Sequence, residues 1–179
     1  MPQPTEYVKS LEYALKTERD GQAMYTEAAQ QAASPLAKAT FEALAREELK
    51  HIRIIRHYHT SLAESGQWPE LATVAPGEHA DLVEGVVTIF QEWGPDFALE
   101  APTADDTKAY ELALDFESRT RAHYQEQLAK AEDELARTFY DFMQEEENRH
   151  YVFLEETLDF LDNTQDWFAK HERPFYTAG

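Results

Sequence analysis

Glu48-Leu49-Lys50-His51 and, 99 residues later, Glu147-Asn148-Arg149-His150 share one pattern of residue types. In each, a carboxylate and an imidazole stand three residues apart, the spacing that puts both on one face of an α-helix. Working outward at the same offset of 99, Glu18 recurs as Glu117 and Tyr25 as Tyr124. The background matches more loosely: Ala14-Leu15 with Ala113-Leu114, Leu36-Ala37 with Leu135-Ala136, Phe41 with Tyr140, Leu44 with Met143. A duplication that drifts in its packing residues yet keeps Glu, Tyr, Glu and His implies one site built from both halves. Four carboxylates and two imidazoles converging inside a helical bundle are the donor set of a two-metal centre.

Four long segments carry helical periodicity and predict an all-α bundle. The first spans about Thr5 to Ala33, with Leu11, Leu15, Glu18, Gln22, Tyr25 and Ala29 on one stripe. Ser34-Pro35 then supplies an N-cap and a proline at the first helical position. The second helix runs to about Ser65, with Gly66 as its stop, and its stripe is Phe41, Leu44, Glu48, His51, Ile55 and Tyr58. From about 66 to 103 the chain is rich in proline and glycine, with a short amphipathic helix predicted over Ala80 to Glu92. This segment reads as a crossover within one domain. The third helix begins after Thr103, with Asp105 and Asp106 in its first turn and Tyr110, Leu114, Glu117, Tyr124 and Leu128 on its stripe. Asp133 caps the fourth, whose stripe of Tyr140, Met143, Glu147, His150, Leu154 and Leu161 ends near Asn163. The expected organisation is a bundle over 1–165 and a C-terminal tail over 166–179.

Height along the helices supports the same site. Glu18 and Glu48 each lie fifteen residues from a turn near residue 33, and Glu117 and Glu147 are equally spaced about residue 132. Taken singly, a helical Glu-x-x-His is usually a solvated or salt-bridged pair. Here all four carboxylates sit on apolar stripes that hold no Arg or Lys, and burying one unpaired carboxylate costs several kcal/mol. Two divalent cations would cancel that charge. Tyr25 and Tyr124 lie two turns beyond Glu18 and Glu117, placed to donate hydrogen bonds to the metal-binding carboxylates. The remaining histidines, His57, His59, His79, His123 and His171, fall off the ligand level and read as ordinary polar residues.

Composition narrows the alternatives. With 179 residues and 42% hydrophobic content the chain suits a single domain with a proper core. It has no cysteine, which excludes disulfides, Cys-ligated zinc or iron–sulfur sites and a thiolate nucleophile. A net charge of −19 argues against nucleic acid and against an anionic membrane surface. The N-terminal Met-Pro-Gln-Pro-Thr-Glu has no basic or apolar region of a signal peptide, and no apolar run approaches a bilayer span. A cytoplasmic location is expected.

The paired pattern Glu18…Tyr25…Glu48-x-x-His51 and Glu117…Tyr124…Glu147-x-x-His150 resembles the ferritin-like di-iron carboxylate proteins, and among them most the rubrerythrin type, over roughly residues 5 to 163. The resemblance implies an antiparallel four-helix bundle with one long crossover between helices two and three. It implies Glu18, Glu48, His51, Glu117, Glu147 and His150 as ligands of two Fe ions, the Glu-x-x-His carboxylates bridging. Two departures matter. Rubrerythrins carry a further glutamate one turn after the third-helix ligand, where this chain has Thr120, so a symmetric six-ligand centre closer to bacterioferritin is expected. Complete rubrerythrins carry a cysteine-ligated rubredoxin domain, and this chain has no cysteine, so electrons are expected from an external, rubredoxin-like donor. No haem is expected, because Leu49 replaces the bacterioferritin methionine. The leading function is then a di-iron oxidoreductase that reduces H₂O₂ or O₂, working as a homodimer or larger homo-oligomer. The alternatives are an iron-storage or ferroxidase protein, as shell subunit or cargo, and a bundle holding Mn or Zn.

Overall fold

The structure, a computed structural model, describes residues 4–74 and 103–162. Among them it is helical throughout and contains no strand. Four long helices, α1 (Pro4–Gln31), α2 (Pro35–Ser65), α4 (Ala104–Lys130) and α5 (Glu134–Asp162), are accompanied among the described residues by one short helix, α3 (Leu71–Val74). The helix predicted over 80–92 and the tail over 166–179 lie outside the described residues. The predicted crossover range opens differently from expectation, because α3 adds a helical turn after Trp68, and Trp68 is buried among Tyr7, Tyr58, Phe139 and Tyr140.

The helix ends follow local chemistry. Ser34, extended at φ −73° and ψ 128°, accepts from the backbone N–H of Ala37 and starts α2 with Pro35 in its first turn. Gly66 ends α2 at φ +69°, a left-handed conformation costly for other residues, while its N–H donates to the Leu62 carbonyl. Thr103 and Asp106 form a reciprocal capping box at the start of α4. Asp133 Oδ1 accepts from the N–H groups of Leu135 and Ala136 at the start of α5.

The three-residue turns fold α1 against α2 and α4 against α5 as two helical hairpins, which then meet through α1 with α4 and α2 with α5. Each hairpin's first helix fastens the other's turn. Asp106 accepts from the Ala33 and Ser34 N–H groups, at 3.0 and 3.3 Å, while the Tyr7 hydroxyl accepts from the Glu132 N–H at 3.3 Å. Tyr7 and Asp106 are themselves 99 residues apart.

Two apolar clusters fill the interior. One gathers Leu11, Leu15, Ile55, Tyr58, Phe139 and Met143, and the other Leu36, Phe41, Leu44, Tyr110, Phe153 and Leu154. Full burial of each such aliphatic side chain contributes about 1.5–3 kcal/mol. Between the clusters lies a layer of buried carboxylates and imidazoles.

One stripe position differs from the sequence reading. Gln22 is only half-buried, and the adjacent Gly21 takes the inward place on α1. A Cβ on Gly21 would stand 2.8 Å from Phe116 Cε1 and 3.4 Å from Glu48 Cδ, so the Phe116 ring tip occupies the space that a side chain at position 21 would need.

Candidate metal centre

Each of the six acid and imidazole side chains singled out in the sequence is buried: Glu18, Glu48, His51, Glu117, Glu147 and His150 expose 2% or less. The i, i+3 spacing brings Glu48 and His51 off one face of α2, and Glu147 and His150 off one face of α5. Ligand atoms of these four all lie within 4.8 Å of one another. The imidazole rings of His51 and His150 stack at a centroid distance of 5.0 Å and an interplanar angle of 15°.

The carboxylates divide into two kinds. Glu18 approaches one imidazole, with Oε2 at 3.0 Å from His51 Nδ1, and Glu117 approaches the other, with Oε1 at 3.4 Å from His150 Nδ1. Glu48 and Glu147 each reach both. Glu48 lies 3.9 Å from His51 Nδ1 and 3.5 Å from His150 Nδ1, and Glu147 lies 3.4 and 3.7 Å from the same atoms. Nδ1 is therefore the nitrogen that each ring presents to the carboxylates.

Tyrosines brace the outer pair, crosswise. Tyr25 of α1 donates to Glu117 of α4, and Tyr124 of α4 donates to Glu18 of α1. Burial and then the neighbouring glutamates push both phenols well above their ordinary range, so they act as hydrogen-bond donors.

Electrostatics separate the same two kinds of carboxylate. Burial would raise Glu18, but the hydrogen bond and charge of His51, with help from Tyr124, outweigh it and hold its pKa at about 2. Glu117 is lowered in the same way, His150 and Tyr25 overcoming its burial. Glu48 and Glu147 are pushed far up, by burial first and by the charges of the other glutamates second. Without metal, the outer carboxylates are thus the more easily ionised pair and the central two the more easily protonated.

The donor set fits metal ions. Both oxygens of Glu48 and of Glu147, Oε2 of Glu117 and Nδ1 of His150 are buried without a hydrogen-bond partner. So many orphaned acceptors in a protein core are costly unless a cation takes them up. Hard carboxylate oxygens with imidazole nitrogens suit iron, manganese or zinc.

Several residues at the centre escaped the sequence reading. Glu47 and Glu146 are buried beside the ligand motifs and paired with Lys50 and Arg149, each pair again 99 residues from the other. Glu146 Oε2 stands 3.9 Å from His51 Nε2, on the outer side of that ring. Extending the repeat comparison by the one residue before each motif would have found the two glutamates. Gly21 carried a different signal, a lone glycine inside a helical pattern. Of the other histidines, His57 is exposed, His59 Nε2 is 3.6 Å from Glu12, and His123 is half-buried against Tyr13 and Tyr124. His79 and His171 lie outside the described residues.

The family description of rubrerythrin matches residues 9–80, the span that holds Glu18, Tyr25, Glu48 and His51. No curated protein and no solved structure gives a match. The match is consistent with a rubrerythrin-type ferritin-like family and covers the first hairpin; the second is tied to it by the internal repeat and by the shared site. A rubrerythrin match together with a buried Glu/His cluster points to a two-metal site.

Proposed function

We propose that the chain is a di-iron oxidoreductase of rubrerythrin type that reduces H₂O₂ or O₂ with electrons from an external donor. The observation that carries this reading is the division of the carboxylates: two buried glutamates each face both imidazoles, and two each face one. Glu18 and His51 would hold one ion, Glu117 and His150 the other, and Glu48 and Glu147 would bridge them. Iron bound there would supply one-electron redox chemistry at two adjacent sites, matching the two electrons that, with two protons from solvent, turn H₂O₂ into two waters.

The chain's own residues prepare that chemistry. Glu48 and Glu147 would surrender their protons as metal binds, which makes affinity rise with pH. Tyr25 and Tyr124 fix the orientation of the outer carboxylates. The apolar clusters above and below keep water from the layer. We further take residues 1–165 as one ferritin-like antiparallel four-helix bundle, with the chain over 66–103 as its single long crossover and 166–179 as a tail. A homodimer or larger homo-oligomer in the cytoplasm, served by a rubredoxin-like donor, completes the reading. No described helix is long and apolar enough to cross a membrane.

The test is anaerobic loading with Fe²⁺ followed by stopped-flow mixing with H₂O₂ or O₂. Faster oxidation by H₂O₂ supports the peroxidase; faster oxidation by O₂ favours a ferroxidase. One observation speaks for the second reading. Thr120 is buried with its hydroxyl donating to the Phe116 carbonyl, so this position offers no seventh carboxylate. Metal analysis of protein from its native source separates iron from manganese or zinc.

A further inference from the structure

The internal two-fold is broken beside the centre, on the side where α1 meets α4. Gly21 and Thr120 are repeat counterparts, one turn beyond Glu18 and Glu117, and Thr17 and Phe116 are counterparts one residue before those glutamates. On one side, therefore, a glycine faces a phenylalanine, and on the other a threonine stands for each.

The consequence is visible in the packing. Phe116 leaves α4 and lays the tip of its ring against α1, in the space that Gly21 leaves. A Cβ there would meet Phe116 Cε1 at 2.8 Å, Phe116 Cζ at 2.9 Å and Glu48 Cδ at 3.4 Å. The ring and the Glu48 carboxylate are thus separated by no more than the space that one methyl group would fill. Phe116 is half-buried, and its inner side stands edge-on to Tyr25 at a centroid distance of 6.3 Å. Phe116 is thus partly exposed to solvent while touching Tyr25, the donor to Glu117. The counterpart Thr17 carries no ring, and its hydroxyl donates to the Tyr13 carbonyl of its own helix.

We propose that Phe116, seated in the gap left by Gly21, is a specificity-determining residue that closes the α1–α4 side of the centre over Glu48 and admits only oxidants as small as H₂O₂ or O₂, excluding alkyl hydroperoxides. The inference rests on the two-metal reading above and adds the substrate class. Phe116 acts by shape: its apolar ring occupies the path, and helix α1 holds it there only because position 21 has no side chain. Gly21→Ala would push the ring tip outward, a movement that a half-exposed side chain can make, and so would open the same path that Phe116→Ala opens.

The test uses cobalt(II)-loaded protein, read by its visible ligand-field absorption, with azide as the small probe and benzoate as the large one. Azide should perturb the spectrum of the unmodified protein and benzoate should leave it unchanged. In Phe116→Ala the benzoate response should appear at concentrations at least about tenfold lower than any response of the unmodified protein. Gly21→Ala should shift in the same direction, and Phe116→Tyr should retain the exclusion. Gly21→Ala keeps the test open should Phe116→Ala not fold. Cobalt uptake with an equal benzoate response in all the proteins overturns the size filter and leaves the metal reading intact. Failure of the unmodified protein to take up cobalt overturns both.

Discussion

The two hairpins place the same side chains around the centre and differ in what surrounds them. Glu18 and Glu117, Glu48 and Glu147, His51 and His150, and Tyr25 and Tyr124 are matched in identity and in burial. Glu47 with Lys50 and Glu146 with Arg149 repeat as well, with the cation alone changed. One residue further out the likeness ends: Gln22 stands against Arg121, Leu49 against Asn148, and Gly21 against Thr120. Arg121 donates to Asn148 and lies over the Tyr151 ring, a link between α4 and α5 that Gln22 and Leu49 do not reproduce. The halves are thus equal where charge must be balanced and free where only volume must be filled. A buried carboxylate has few substitutes in that layer, whereas an apolar contact can be rebuilt from other shapes at small cost.

The sharpest break in the symmetry would come from the carboxylates that face both imidazoles. Glu48→Ala and Glu147→Ala should each lower the affinity for both ions, by at least about 100-fold, beyond the roughly 10–100-fold that loss of an outer partner costs. Glu18→Ala and Glu117→Ala should each weaken one ion, the one beside His51 and the one beside His150 respectively. Equilibrium dialysis with counting of bound metal per chain checks both statements. Loss of both ions on replacing Glu18 would sink the division into bridging and single-site glutamates.

Metal removal and pH test the same layer without mutation. Glu48 and Glu147 have folded pKa values far above the ordinary 4.5, so above that pH the metal-free folded protein binds more protons than the unfolded chain. Its stability must fall as pH rises from there toward the raised values. Glu18 behaves in the opposite sense: at about 2, its contribution is complete above 4.5 and is lost as pH drops toward 2. The metal-free melting temperature should therefore peak in weak acid and drop by roughly 5 °C or more between about pH 5 and pH 8. Metal-loaded protein should lose that decline, because the cations hold the carboxylates ionised. Calorimetry across the range, with and without metal, decides it, and parallel curves would count against a buried two-metal site.

The turn fastenings give an unequal pair. Asp106 serves two backbone N–H groups of the opposite turn and closes its own capping box, whereas Tyr7 serves one. Asp106→Ala strips buried donors of their acceptor and should cost roughly 1–3 kcal/mol, and Tyr7→Phe roughly 0.5–1.5 kcal/mol. Urea unfolding of the two variants measures the difference; equal costs would mean that the capping box contributes nothing.

How much of this was legible in the sequence follows from what each feature depends on. Periodicities and caps are local, so the four helices, the Ser34-Pro35 start and the Gly66 stop could be read within a residue or two. The six acid and imidazole residues were legible because repetition at a fixed offset and equal distance from the turns are both sequence facts. Which imidazole each carboxylate would face, and the crosswise tyrosine bonds, depend on how the hairpins dock, and docking is set by side-chain shapes that periodicity does not contain. Gly21 shows the limit most plainly. On a helical stripe Gln22 reads as the inward residue, yet the approach of Phe116 and Glu48 rotates α1 so that its smallest side chain faces in. Glu47 and Glu146 were hidden for another reason: charged residues beside a motif read as a solvated face, and only the three-dimensional fold shows them buried.

The smallest expected effect concerns Thr120, where this chain departs from the rubrerythrin pattern. Thr120 is 4% exposed, and its hydroxyl is engaged with the Phe116 carbonyl one turn back. It sits at i+3 from Glu117, so a glutamate there would lie on the side of the ion proposed for Glu117 and His150. Gly21, its counterpart, lies beneath the Phe116 ring tip, which any added side chain would have to displace. An added carboxylate at position 120 would stand in one half only, and it would turn the proposed symmetric six-ligand centre into an asymmetric one. If peroxide reduction is limited by the missing seventh ligand, Thr120→Glu should raise the rate of oxidation by H₂O₂ a few-fold at equal iron occupancy and leave the rate with O₂ unchanged. Stopped-flow comparison of the two proteins with each oxidant measures it. An unchanged or lower rate with H₂O₂ would mean that six ligands suffice, and would favour the ferroxidase over the peroxidase.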